Sequence, residues 1–121
     1  MRSGTSPVVK LLPATLNRAQ AEAFFHEVAP ILRSERAEVV FDFSEVRQLD
    51  GAGVEMLLRC MAEVMKGNGD LKLSAIPPVS TIILELTGVD CLFEIFENTA
   101  DAVQSFTQFP AQAFQQTGMS W

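Results

Sequence analysis

Apolar residues along the chain fall into two alternating patterns, one typical of strands and the other of helices. Four short apolar runs predict strands, at residues 8–12, 39–43, 71–75 and 92–96. In the third run Lys72 and Ser74 alternate with leucines, which predicts a strand exposed on one side. Segments with apolar residues every three to four positions separate the strands. The repeated strand–helix order is typical of an α/β domain with a largely parallel sheet.

Four helices are predicted, and each has a recognisable start or end. Asn17 and Asp50 are placed to cap the first two helices with their side chains. Pro78 starts the third helix, which ends at Gly88, and Thr99 begins the last. The predicted buried faces are Phe24, Val28, Ile31 and Leu32 in the first helix, Val54, Leu57, Leu58, Met61 and Met65 in the second, Val79, Ile82, Ile83 and Leu86 in the third, and Ala102, Val103 and Phe106 in the last.

The length and composition indicate one folded domain. A chain of 121 residues has the size of one domain, and 48% apolar against 20% charged residues is enough for a core. We predict a single domain over residues 1–107. Residues 108–121 form a different segment, with Pro110, several glutamines and the scattered apolar residues Phe109, Phe114 and Trp121. This tail is expected to be mobile or to pack weakly on a partner or a second copy.

The charge balance argues against nucleic acid as a partner. Nine Lys and Arg against fifteen Asp and Glu give a formal net charge of −6, which offers little counter-charge to phosphates. Arg59, Glu63 and Lys66 interrupt the longest apolar stretch, so no membrane span is expected. The first seven residues lack the apolar region of a secretory signal. The sequence therefore predicts a cytoplasmic protein without direct membrane insertion.

Few residues suit catalysis, metal binding or cofactor binding. His26 is the only histidine and is expected on a helix surface, so a general base is poorly supplied. Cys60 and Cys91 have no CxxC spacing, which favours reduced cysteines over a disulfide or a zinc site. The pair Gly51 and Gly53 lacks the third glycine of a dinucleotide site. We expect no enzymatic activity, no metal and no cofactor.

The segment Asp50-Gly51-Ala52-Gly53 carries the most information about function. It follows a buried strand and opens a helix, so its backbone amides lie at the positive end of a helix dipole. The two glycines permit close approach of another surface. From these four residues alone, a capped turn without a partner and a docking site both remain open.

Several colinear motifs extend this segment. They are Val-Val-Phe-Asp-Phe-Ser at 39–44, Leu-Asp-Gly-Ala-Gly-Val at 49–54, Leu-Leu at 57–58, Leu-Glu-Leu-Thr-Gly-Val at 84–89 and Leu-Phe at 92–93. Their order and spacing over residues 8–107 resemble the STAS domain of sulphate transporters and anti-sigma-factor antagonists. The resemblance implies a small, largely parallel or mixed sheet of four to five strands, with helices packed mainly on one side. Family members often carry an extra N-terminal strand, which we expect this chain to lack.

The resemblance also implies a mode of action. In the bacterial antagonists the loop carries a serine that is phosphorylated by a partner kinase, which is also the anti-sigma factor. The matching position here is Gly51, which has no hydroxyl and cannot accept phosphate. We therefore expect a protein-binding regulator that phosphorylation at this position does not switch. The expected partner-binding residues are Asp50, Gly51, Ala52, Gly53, Val54, Glu55 and Met56, with Met56 facing outward.

Several alternatives remain open at this stage. Small STAS subunits also bind membrane transporters such as lipid-trafficking ABC systems, where the partners are a permease and its ATPase. Ser44 ends the strand before the loop, and the resemblance implies that the third helix, which Ser80 and Thr81 begin, lies close to the loop; these three residues are candidates for a displaced phosphorylation site. A second copy of the chain is a further candidate partner.

Overall fold

Parallel strands form the centre of the computed structural model, which describes residues 6–107. In chain order the strands are β1 (Val8–Leu11), β2 (Thr15–Leu16), β3 (Glu38–Asp42), β4 (Gln48–Leu49), β5 (Asp70–Ser74) and β6 (Glu94–Phe96). The main sheet has the order β1-β3-β5-β6, and β2 pairs with β4 in a separate two-stranded sheet. Every one of these pairings is parallel, as predicted. The predicted tail, 108–121, lies outside the described residues.

The helices begin and end close to where the sequence predicts. They are α1 (Arg18–Leu32), α2 (Gly51–Lys66), α3 (Pro78–Thr87) and α4, described over 99–107. The Asn17 side chain accepts a hydrogen bond from the backbone N–H of Gln20 at 2.9 Å, which confirms it as the cap of α1. Gly88 ends α3 in the left-handed conformation, with φ of 77°. The last strand is shorter than predicted because Val89–Leu92 form a 3₁₀ turn.

The main core lies between one face of the sheet and helices α1 and α2. Val39 and Phe41 of β3 and Leu71 and Leu73 of β5 point into it. The ring of Phe24 on α1 meets the ring of Phe41 edge to face, with centroids 5.2 Å apart. The predicted α/β fold with helices on this face is confirmed.

Helix α4 packs on the other face of the sheet and corrects the expectation for β5. Lys72 and Ser74 are buried, not exposed. The Lys72 ammonium donates to Ser105 Oγ at 2.6 Å and lies 3.3 Å from a carboxylate oxygen of Glu94. It also lies 4.1 Å from the ring centroid of Phe106. A charged residue within a strand predicts exposure only when no element is placed to satisfy the charge.

The buried face of α2 is also shifted from the predicted one. Leu58 and Met65 are exposed, and Met61 is only half-buried, whereas Cys60 and Val64 are fully buried. The reason is that α2 contacts both α1 and the sheet, so the buried stripe is turned toward α1. The Arg59 guanidinium on this side ion-pairs with Glu22 of α1 at 3.1 Å.

Gly53 sits where α2 approaches the small sheet most closely. A Cβ atom at this position would lie 2.9 Å from the carbonyl oxygen of Leu16 and 2.6 Å from Cδ1 of Leu49. A Cβ at Gly51 would have nothing within 4 Å. Only the second of these two glycines is therefore required by packing.

We expect Gly53→Ala to lower the free energy of unfolding by about 1–3 kcal/mol, because the new methyl group meets the backbone of β2. The matched control is Gly51→Ala, which should be neutral or stabilising by up to about 1 kcal/mol. Urea denaturation followed by circular dichroism measures both. Equal midpoints for the two variants would show that the close contact at Gly53 has no energetic effect.

The two cysteines differ in their surroundings. Both are free; Cys60 is buried on α2, whereas Cys91 is exposed in the 3₁₀ turn. Burial raises the pKa of the Cys60 thiol to about 12, an effect that the nearby Arg59 only partly opposes. The reactive thiolate of Cys60 is thus nearly absent at neutral pH.

A thiol reagent applied to the native protein at pH 8 should modify Cys91 and leave Cys60 unmodified, whereas both should react in denaturant. Intact mass and peptide mapping measure this. Modification of Cys60 as fast as that of Cys91 under native conditions would contradict the burial of this helix face.

Candidate functional site

Asp50 caps α2 and thereby shapes the loop before the helix. Its Oδ1 accepts from the backbone N–H of Ala52 at 3.0 Å and of Gly53 at 3.4 Å. Its backbone carbonyl accepts from the N–H of Val54 at 3.1 Å. The predicted cap is confirmed, and it leaves Gly51 exposed at the start of the helix.

The seven predicted partner-binding residues divide into an exposed and a buried group. Asp50, Gly51 and Glu55 are exposed and Ala52 is half-buried, so these four can contact another molecule. The buried group consists of Gly53, Val54 and Met56. The three buried residues pack inside the domain and do not belong to the accessible surface.

The expectation that Met56 faces outward is wrong. Its side chain is only 2% exposed, and its sulfur lies 3.4 Å from the sulfur of Cys60 one turn later. Helix α1 covers this side of α2, where Ala21 of α1 and Met56 line the same narrow crevice. A glutamate at position 56 would therefore disrupt the core and would not test partner binding.

An apolar face of α3 lies exposed beside the loop. Val79, Ile82 and Leu86 are 60, 55 and 81% exposed, although the sequence predicts them as the buried face. Helix α3 instead buries Ser80 and Leu84, because among the described residues its main neighbours are β4 and the 3₁₀ turn. A helix that is apolar around much of its circumference buries only the side that has a neighbour.

A cleft joins this helix face to the start of α2. The cleft has a volume of about 400 Å³ and is lined by Asp50 on one side and by Val79 and Ile83 of α3 on the other. Residues of β2 and β4 also line it, together with Arg47, which precedes β4. We call the accessible residues at the start of α2 and on the apolar face of α3 the docking surface: Asp50, Gly51, Ala52, Glu55, Val79, Ile82 and Leu86.

The three hydroxyls predicted as displaced phosphorylation sites differ in accessibility. Ser80 is buried, so a kinase cannot reach it in the folded domain. Ser44 is exposed and Thr81 is half-buried. The backbone N–H of Ser44 donates to Asp42 Oδ1 at 2.8 Å, which holds the turn after β3. Ser44 and Thr81 remain the accessible candidates.

The groups available for catalysis or metal binding are sparse. His26 lies exposed on α1, where its Nε2 is 3.8 Å from a carboxylate oxygen of Glu22, as expected for a surface residue. Within residues 6–107, no three His, Cys, Asp or Glu side chains cluster closely enough to hold a metal ion. Over the same residues, every helix is too short or too polar to cross a membrane.

A family match and two similar solved structures relate this chain to known proteins. The STAS domain family matches residues 6–102. A Thermotoga maritima protein described as an anti-sigma factor antagonist has a similar structure, with a TM-score of 0.72, 19% identity, and coverage of 80% of this chain and 86% of that chain. An anti-sigma-factor antagonist (STAS) domain protein from Planctomyces limnophilus gives a TM-score of 0.72 at 16% identity, covering 82% of this chain and 89% of that chain. No curated protein matches the chain.

The two structural likenesses, at this level of identity, show a common fold. The family match is broader evidence because it spans β1 through the start of α4, and it confirms the resemblance found in the sequence motifs. The chain belongs to the STAS domain family.

Proposed function

We propose that this STAS domain is a regulator of the anti-sigma-factor-antagonist type, which acts by binding a protein through the docking surface. The observation that carries the proposal is the exposed apolar face of α3 beside the capped start of α2. Scattered apolar residues are common on protein surfaces, but here three lie along one helix face, and one of them, Val79, lines the cleft. An apolar patch beside polar backbone groups is suited to a protein partner.

The two sides of the docking surface have different chemistry. Val79, Ile82 and Leu86 offer area whose burial stabilises a complex by roughly 25 cal/mol per Å². Asp50 and Glu55 add negative charge near the start of α2 and the exposed Arg47 adds a positive charge to the cleft, so this side favours a partner region that carries charges of both signs. The partner class proposed from the family resemblance is an anti-sigma factor with kinase activity.

Gly51 determines how such binding is regulated. In the antagonists that this chain resembles, a phosphoserine at this place adds nearly two negative charges and breaks the complex. Gly51 lies exposed and open, yet it offers no hydroxyl. We therefore propose that the amount of protein, and not phosphorylation of this loop, sets the extent of binding.

Affinity capture from the protein's own cells, in mild detergent, tests the binding role and the choice of surface. We expect the wild type to retain an ATP-binding anti-sigma factor, and Ile82→Gln/Leu86→Gln to weaken its binding by about tenfold or more. These side chains are exposed, so the double variant should keep the stability of the domain to within about 1 kcal/mol.

The matched control is Val9→Thr/Leu11→Thr, which removes two exposed apolar side chains from β1 instead of α3. This control should bind the partner like the wild type. Equal binding by the α3 variant and the wild type would overturn the docking surface. Capture of a permease with its ATPase would replace the anti-sigma circuit with the transporter alternative.

Because Gly51 cannot be phosphorylated, introducing a serine at this position should make partner binding sensitive to phosphorylation. With the captured kinase and ATP, Gly51→Ser should acquire one phosphoryl group and lose partner binding, because an added side chain at this position meets no other atom. The wild type and Gly51→Ala should remain unmodified and bound. Intact mass and a binding titration measure both effects.

A phosphoryl group on the wild-type chain would contradict this account of Gly51. It would place the switch at another hydroxyl, with Ser44 and Thr81 as accessible candidates. Peptide mapping of the modified protein distinguishes these sites from one another.

A further inference from the structure

A groove lies between helix α3 and strand β6. It consists of two adjoining cavities, of about 220 and 490 Å³, and both are lined by Ile76, Thr81 and Ile95. Leu84 of α3 also lines the smaller cavity. None of the described residues that line the two cavities belongs to the docking surface. The groove is therefore a second accessible region, separate from that surface.

Strand β6 offers open backbone groups beside this groove. It lies at the edge of the main sheet, where within residues 6–107 it pairs only with β5. The backbone N–H of Ala75 donates to the carbonyl of Phe96 at 3.0 Å, so the backbone groups of Phe96 face β5. Because successive residues of a strand alternate in this respect, the N–H and carbonyl of Ile95 face outward. An added strand can form hydrogen bonds with them.

The side chain of Ile95 connects the open edge to the groove. Ile95 pairs with Leu73, which points into the main core, so both side chains lie on the same face of the sheet. Leu73 is completely buried, whereas Ile95 is 41% exposed. A strand added beside β6 would direct every second side chain to this face. The apolar lining of the groove favours apolar side chains at those positions.

Acidic side chains border the groove. Glu85 and Asp90 line the smaller cavity, and Glu97 lines the larger one. The described residues that line the two cavities include no Lys, Arg or His. Within residues 6–107, none of the three carboxylates forms an ion pair. Charges beside an edge strand discourage unspecific pairing, and carboxylates select a basic segment over an acidic one.

We propose that this groove binds an extended segment of a protein partner, with an apolar centre and Lys or Arg on both sides of it. The segment adds to the open edge of β6, its apolar side chains enter the groove, and its basic side chains pair with Glu85, Asp90 and Glu97. This inference goes beyond the proposed function and does not depend on it, because the groove and the docking surface share no described residue.

A synthetic peptide tests the groove on the full-length protein. The peptide has alternating valine and threonine in its centre and lysines at both ends. We expect it to bind with a Kd of roughly 0.1 mM and to shift the backbone amide resonances of residues 94–97 in ¹⁵N-labelled protein. A peptide with glutamate in place of lysine should bind at least about tenfold more weakly. N-methylation of the central amides should abolish binding, because it removes the donors that pair with β6.

Matched variants of the protein separate the groove from general charge attraction. Glu85→Gln/Glu97→Gln should weaken binding of the lysine peptide by about fivefold. Glu35→Gln/Glu45→Gln removes the same charge from exposed positions that line neither cavity, and it should bind like the wild type. All four positions are exposed, so the fold should be kept in both variants, and circular dichroism checks this.

Several results would overturn the proposal. They are the absence of binding at peptide concentrations of about 1 mM, equal affinity for the lysine and glutamate peptides, and unchanged affinity after N-methylation. Equal weakening by the two variants would show that the net charge of the protein, and not the groove, attracts the peptide. Amide shifts confined to residues 50–55 would assign the peptide to the docking surface, which would also contradict the proposal.

Discussion

The small β2–β4 sheet is the structural constraint on which the proposed docking surface depends. The first turn of α2 lies so close to it that a side chain at Gly53 would meet the carbonyl of Leu16. Helix α3 contacts β4 as well, so both sides of the cleft rest on the same pair of short strands. A displacement of this sheet would move the loop and the apolar helix face relative to each other.

In this arrangement the shape of the loop does not depend on a side chain at position 51. The cap comes from the carboxylate of Asp50, and the close contact comes from Gly53. The intervening Gly51 contributes neither, because it is exposed and open. A small side chain can therefore replace the hydrogen of Gly51 while the fold is kept.

The sequence predicts the four strands of the main sheet, the helices, the two side-chain caps and the family, because these depend on local periodicity and on colinear motifs. It fails at Met56, Lys72 and the α3 face, where burial is decided by an element distant in the chain. Met56 is buried by α1, and Lys72 is buried by α4. Strands β2 and β4 have two residues each, too short for any alternation to show.

The sequence of α3 contains more apolar residues than one buried face needs, but helical periodicity alone does not show which of them are exposed. Val79, Ile82, Ile83, Leu84 and Leu86 leave little polar surface on the helix. A helix of this kind is either buried on all sides by its own domain or has an exposed apolar face that is available to bind a partner. The structure distinguishes the two cases because only Ser80 and Leu84 are fully buried.

Hydrogen exchange of the captured complex tests the docking surface most directly. The account predicts that partner binding slows amide exchange over residues 50–55 and 79–86, with little change at β1. Protection confined to β1, or to the outer side of α1, with unchanged exchange at both segments of the docking surface, would contradict it.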